Sequence, residues 1–147
     1  MLKIYLDSCA VQRPLDTQIQ VRIRLEAEAV LGLFAYIEAG RVELISSSVL
    51  AFEVSRNPLA ERRELAEQLL QRASAIIAMN HKIAERAAVF VDNGIKAADA
   101  LHLATAESAK VDYFCTCDDR FLQRARRLTD LKIRVVSPLE LIEEIEP

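Results

Sequence analysis

Short apolar runs alternate along this chain with longer stretches of helical periodicity, and that alternation constrains the fold more than any other feature. Parallel strands need a crossover between them long enough to hold a helix. The alternation therefore predicts an α/β fold built on a parallel sheet. Candidate strands fall at 2–6, 42–45, 75–79, 113–116 and 133–136, the third being weaker than the others. A long helix is predicted to open at Asp16 and Thr17, with Thr17 and Gln20 at capping-box spacing, and to stop at Gly40. Its apolar face runs Ile19, Ile23, Ala27, Val30, Phe34, Ile37, and Arg22/Glu26 and Arg24/Glu28 are paired on its polar side. Further helices are predicted over 49–55, with Ser46, Ser47 and Ser48 as cap candidates, and over 61–73. Others run from Asn80 to 91, from Ala97 or Ala98 to about 109, over 119–128, and onward from Pro138.

A length of 147 residues suits one domain over 1–147, and 52% hydrophobic residues suffice for a core. Twenty-two acids against 19 bases give a net charge of -3, so no bulk positive field draws in a polyanion. Any nucleic acid would be held by a local basic patch or by bound cations. No apolar run is long enough to span a bilayer and residues 2–6 show no signal-peptide pattern, so a cytoplasmic protein is expected. Three cysteines do not suggest a disulfide framework. Cys9 and Cys115 are expected as buried thiols, and Cys115 and Cys117 to face apart rather than form a zinc pair.

The acids carry the chemistry. In an open parallel α/β sheet, sites form beyond the carboxyl ends of the strands. Asp7 directly follows the first strand and Asp118 the fourth, while Glu53 lies early in the helix leaving the second. A helix that feeds a parallel strand begins at the sheet's carboxyl edge, which brings Asp99 to the same rim. Two carboxylates ~4 Å apart at an effective dielectric of ~20 repel by about 4 kcal/mol. Such a cluster calls for protonation or for a cation, and oxygen-only ligands favour Mg²⁺ or Mn²⁺. Two such ions ~3.5–4 Å apart would activate a water and stabilise the leaving oxygen of a phosphodiester. Singly, each acid has a plainer role: a turn cap for Asp7, helix surface for Glu53, a first-turn acid for Asp99, an N-cap for Asp118. Jointly, four placements on one edge are hard to attribute to chance.

At these residues the chain resembles the PIN-domain nucleases, including the VapC toxins of toxin–antitoxin pairs. The matching stretches are Ile4-Tyr5-Leu6-Asp7-Ser8-Cys9, Ser47-Ser48-Val49-Leu50-Ala51-Phe52-Glu53, Lys96-Ala97-Ala98-Asp99-Ala100-Leu101-His102-Leu103-Ala104-Thr105-Ala106, and Thr116-Cys117-Asp118-Asp119-Arg120-Phe121. The resemblance spans essentially the whole chain. It implies a three-layer α/β/α sandwich around a five-stranded parallel sheet, and Mg²⁺- or Mn²⁺-dependent hydrolysis of RNA. It places Asp7, Glu53, Asp99 and Asp118 as the catalytic, metal-holding acids and Ser8 and Thr116 as supporting hydroxyls. Cys9 departs from the Asn or Ser common at its position. Asp119 is an alternative to Asp118 that fits the Thr-x-Asp spacing less well.

Arg13 is the leading candidate for an RNA phosphate contact, on a backbone that Pro14 is expected to hold extended. Arg120 and Arg124 come next, sharing a helix face with Arg127. His102, one turn after Asp99, is expected to be packed or hydrogen-bonded rather than a general base, and His81 to face solvent. A haloacid-dehalogenase-type phosphatase would need an Asp where Cys9 stands. A cysteine phosphatase would need an arginine farther from Cys9 than Arg13 is. The serious rival is a degenerate PIN-like module that binds RNA or protein without cutting. Whether the chain pairs with an antitoxin or forms a homodimer is left open by the residues.

Overall fold

The computed structural model describes residues 1–146. Five parallel strands form one sheet in the order β3-β2-β1-β4-β5. They are β1 (Lys3–Leu6), β2 (Glu43–Ser47), β3 (Ala75–Ile77), β4 (Tyr113–Cys115) and β5 (Arg134–Val136). The helices are α1 (Ser8–Gln12), α2 (Val21–Glu38), α3 (Ser48–Ser55), α4 (Ala60–Leu70), α5 (His81–Asp92), α6 (Ala97–Ser108), α7 (Asp119–Arg126) and α8 (Pro138–Ile145).

Strand alternation divides the core in two. Tyr5, Ile45, Phe114 and Val135 face α5, α6 and α7. Ile4, Leu6, Leu44, Cys115 and Val136 face the other way, toward α1, α2, α3, α4 and α8. The central strands are apolar on both faces because both faces are covered. The chain winds from β1 outward through β2 to β3, then returns to place β4 on the other side of β1. The order reverses between β1 and β4, and a crevice opens there beyond the strand ends.

Local chemistry fixes most element starts. Ser47 accepts from the Leu50 amide at 3.0 Å to cap α3. Asn80 caps α5, and Ser137 with Glu140 forms a full capping box under Pro138 at α8. Gly94 takes a φ of +95° after α5, a conformation that a side chain disfavours.

Three sequence expectations change. Residues 8–15 are helical, as α1 followed by a 3-10 turn over Arg13–Leu15, and Arg13 is helical (φ −53°, ψ −38°) rather than extended. The cost that Pro14 imposes on its predecessor is overridden by the tertiary contacts of the Arg13 side chain. The long helix begins at Val21, not at Thr17. Its N-cap, Gln20, makes no side-chain cap bond, and Ile19 is 86% exposed. Glu26 lies on the buried side of α2, 2% exposed, because that side turns toward Arg13. The thiols differ as well: Cys9 is only half-buried, and Cys115 and Cys117 pack into one cluster. Two residues apart on an extended segment, they share a face.

Candidate metal centre

A cleft of about 390 Å³ opens at the β1/β4 reversal and is lined by Asp7, Glu53, Asp99 and Asp118. Each acid arrives by a different local route. Asp7 ends β1 and caps α1, its Oδ1 accepting from the Ala10 amide at 3.1 Å and from the Cys9 thiol at 3.1 Å. Asp118 ends the β4 segment and caps α7, accepting from the Arg120 amide at 3.0 Å and the Phe121 amide at 3.2 Å. Asp99 sits in the first turn of α6, where the helix dipole favours an acid. Glu53 projects from α3 and bonds to His102 Nε2.

The plainer cap roles are therefore real for Asp7 and Asp118, yet they do not remove either carboxylate from the cleft. Burial raises the Asp7 carboxyl well above its usual range, against the lowering effects of the Thr116 hydroxyl and the Ala10 amide. Burial also raises Asp99, and the nearby charge of Asp118 adds to it. Positive charge in the cleft would relieve both.

The supporting hydroxyls are placed differently from each other. Thr116 is buried, and its Oγ1 accepts from the Asp118 amide at 3.1 Å, fixing the turn that presents that acid. Ser8 lines the cleft, and its Oγ accepts from Gln12 Nε2 at 3.0 Å. Asp119 turns away: its carboxylate pairs with Arg22, which lowers it below its usual range.

The cationic candidates separate sharply. Arg13 is tied to Asp16 at 2.9 Å and to buried Glu26 at 3.4 Å, and Nη2 donates to the Cys117 carbonyl at 3.4 Å. It is a structural clamp here, with no side turned freely to the cleft. Arg120 and Arg124 are exposed on α7 and make no side-chain ion pair among the described residues. His81 is solvent-facing, as expected, and pairs with Glu85 at 2.8 Å.

Several cleft groups escaped the sequence reading. Arg62 and Asp16 line it and pair at 2.9 Å, and Gln12 accepts from Arg62 at 3.2 Å. These are contacts between α4 and the segment after β1, and no spacing in the sequence announces them. His102, by contrast, is packed and hydrogen-bonded as expected: it is 3% exposed beneath Glu53, and its Nδ1 lies 2.5 Å from the hydroxyl of Tyr5, a residue given no role by the sequence. A polar-tipped residue inside the otherwise aliphatic β1 run was the available signal for Tyr5.

Carboxylate oxygens of this kind suit Mg²⁺ or Mn²⁺. Among the described residues, however, no three His, Cys, Asp or Glu side chains stand close enough together to hold one ion. The donor chemistry fits the ion, while the side-chain spacing shows no finished cage.

With the fold and cleft in view, the family follows: the chain belongs to the PIN domain family, whose model matches residues 4–127. PIN domains are generally nucleases and usually bind Mg²⁺ or Mn²⁺. The fold is similar to that of VapC toxins in solved VapBC complexes. A chain of VapBC2 from Rickettsia felis, solved bound to a DNA fragment from the promoter, is 13% identical with a TM-score of 0.59, covering 92% of this chain and 98% of that one. A chain of VapBC-1 from nontypeable Haemophilus influenzae is 12% identical with a TM-score of 0.61, covering 94% and 99%. DNA-bound VapBC from Salmonella typhimurium gives 16% identity and a TM-score of 0.54 over 94% and 99%. The comparison with curated proteins found no match.

Proposed function

We propose that this chain is a divalent-metal-dependent ribonuclease that hydrolyses RNA phosphodiesters, with Asp7, Glu53, Asp99 and Asp118 holding Mg²⁺ or Mn²⁺. The observation that carries the reading is the delivery of four carboxylates, from four separate segments, to one cleft of a PIN domain. When bound, the ion supplies Lewis-acid activation of water and charge stabilisation at the departing oxygen. The protein's own part is positional. Asp7 and Asp118 are fixed by their caps, Thr116 orders the turn before Asp118, and His102 holds Glu53. Arg120 and Arg124 are the phosphate contacts that this reading favours. Arg13 would join them only by releasing Asp16 and Glu26.

The likeness to VapBC chains supports a role as the toxin of a toxin–antitoxin pair, with a small antitoxin as partner. A short reading frame for a DNA-binding protein directly upstream of the gene is the cheapest check of that part. The lack of a finished three-ligand cage favours a second reading, a PIN-like module that binds RNA or protein without cutting.

Cleavage decides between them. Purified protein with Mn²⁺ is expected to cut members of a broad single-stranded RNA panel, and Asp99→Asn to abolish cutting while the circular dichroism spectrum stays unchanged. A panel left intact by the wild type, after sequence-randomised RNAs have been included, selects the binding module.

A further inference from the structure

Glu53 differs from Asp7 and Asp118 in having no backbone amide to hold it among the described residues. Its hydrogen-bond partner among the described residues is His102, and behind His102 stands a closed circuit. His102 Nδ1 lies 2.5 Å from Tyr5 Oη, and Tyr5 Oη lies 2.7 Å from Ser47 Oγ. Ser47 Oγ accepts from the Leu50 amide at 3.0 Å as the N-cap of α3, the same helix that carries Glu53. The path leaves α3 at its cap, crosses β1 and α6, and re-enters α3 at the carboxylate.

The donor order follows from counting protons. The carboxylate of Glu53 accepts, so the proton sits on His102 Nε2, and Nδ1 accepts from the Tyr5 hydroxyl. The Tyr5 oxygen accepts from the Ser47 hydroxyl, whose own oxygen takes the Leu50 N–H. Run this way, no donor in the circuit is left over. Run the other way, the Ser47 hydrogen has no acceptor among the described residues. Ser47 and Tyr5 are fully buried and His102 is 3% exposed, so an unpaired donor there would be penalised.

From this geometry we infer that Tyr5 and His102 are positioning residues that lock one oxygen of Glu53 and leave the other facing the cleft for a divalent cation. The circuit also ties together the elements bearing three of the acids. Tyr5 is two residues before Asp7 on β1, and His102 is one turn after Asp99 on α6. The inference rests on the proposed reading of Glu53 as a metal ligand.

The test uses Tyr5→Phe, which deletes the hydroxyl and keeps the ring stacked on Phe114 at a 5.0 Å centroid distance. Free Mn²⁺ is followed by electron paramagnetic resonance during titration of the whole chain. Tyr5→Phe is expected to weaken Mn²⁺ binding about tenfold, the scale typical of losing an outer-shell partner. In a Glu53→Gln background it should weaken binding no further. An unchanged affinity in Tyr5→Phe, or an equal loss in both backgrounds, overturns the inference and leaves the circuit as core packing. A second measurement needs neither metal nor the Tyr5 variant. In ¹⁵N-labelled wild type the His102 Nε2 proton should resonate far downfield, and Glu53→Gln should move it. If the wild type binds no Mn²⁺, the metal reading of the cleft fails by itself, and the proton resonance decides the circuit. A resonance indifferent to Glu53→Gln overturns it.

Discussion

Replacing Asp7 by asparagine is expected to stabilise the metal-free protein. The residue is 5% exposed, and burial raises its carboxyl well above the ordinary 3.8. Below pH 3.8 the acid is protonated whether the chain is folded or not, and no penalty arises. Above that value the unfolded chain gives up its proton while the folded one retains it, so stability falls as pH rises. The slope is about 1.4 kcal/mol per pH unit until the raised folded value is reached, after which the penalty is constant. Asparagine removes the titration and keeps an oxygen for the Ala10 amide, so the cap of α1 survives. A net gain of about 1–2 kcal/mol at neutral pH is expected, the scale of relieving the burial of a polar group less a small loss at the cap. For a chain of this size that is roughly 3–8 °C in melting temperature. The assay is thermal unfolding in EDTA from pH 4 to pH 8. The wild-type and variant curves should meet near the acid end and separate as pH rises, with the variant above. Saturating Mn²⁺ should reverse the order, since an ion at 100 times its Kd adds about 2.7 kcal/mol to the form that binds it. A variant that is less stable in EDTA by the same margin at every pH would refute the reasoning. The carboxylate would then be serving the cap more than it suffers from burial.

Two further outcomes test the cationic groups. Arg13→Ala leaves Glu26, 2% exposed, with only Arg22 at 3.8 Å, and should lower stability to urea by about 3 kcal/mol, as breaking a buried pair does. Adding Glu26→Gln should restore most of that, and a loss below about 1 kcal/mol would show that the pair is weakly coupled. Removing Arg120 and Arg124 together should leave stability within about 0.5 kcal/mol. In Ca²⁺, if that ion does not support cutting, the salt slope of single-stranded RNA binding should then fall by roughly 0.7 per lost phosphate contact. A slope equal to wild type would place the RNA on another face.

What the sequence made legible were features set by topology and period. Each of the five strands carries a short apolar run, such as Ile4-Tyr5-Leu6 or Tyr113-Phe114-Cys115, and parallel connectivity dictates which helix ends share their carboxyl edge. That reasoning was enough to bring Asp7, Glu53, Asp99 and Asp118 into one cleft. Features set by side chains crossing between elements stayed hidden. The five residues of α1 are too few to show a helical period, so no helix was legible in the segment after Asp7. Thr17 and Gln20 mimic a capping box, but α2 starts only at Val21, after residues 17–20 have crossed an exposed turn. Glu26 looked like surface because Arg22 stands four residues before it. The group that decides its burial is Arg13, on the far side of that turn.

The same crossing contacts bear on how a chain of net charge -3 holds a polyanion. Three arginines near the cleft are already committed: Arg13 and Arg62 to Asp16, and Arg22 to Asp119. Their charge is balanced within the protein, and the field they offer a phosphate is small. The ionised carboxylates of the cleft repel a phosphate. Under the proposed reading, attraction at the reacting bond has to come from a divalent ion, and the exposed Arg120 and Arg124 steer the strand beside it. Metal and RNA binding are then coupled. With the cleft empty, the acids should exclude RNA from the site that the loaded cleft would attract it to.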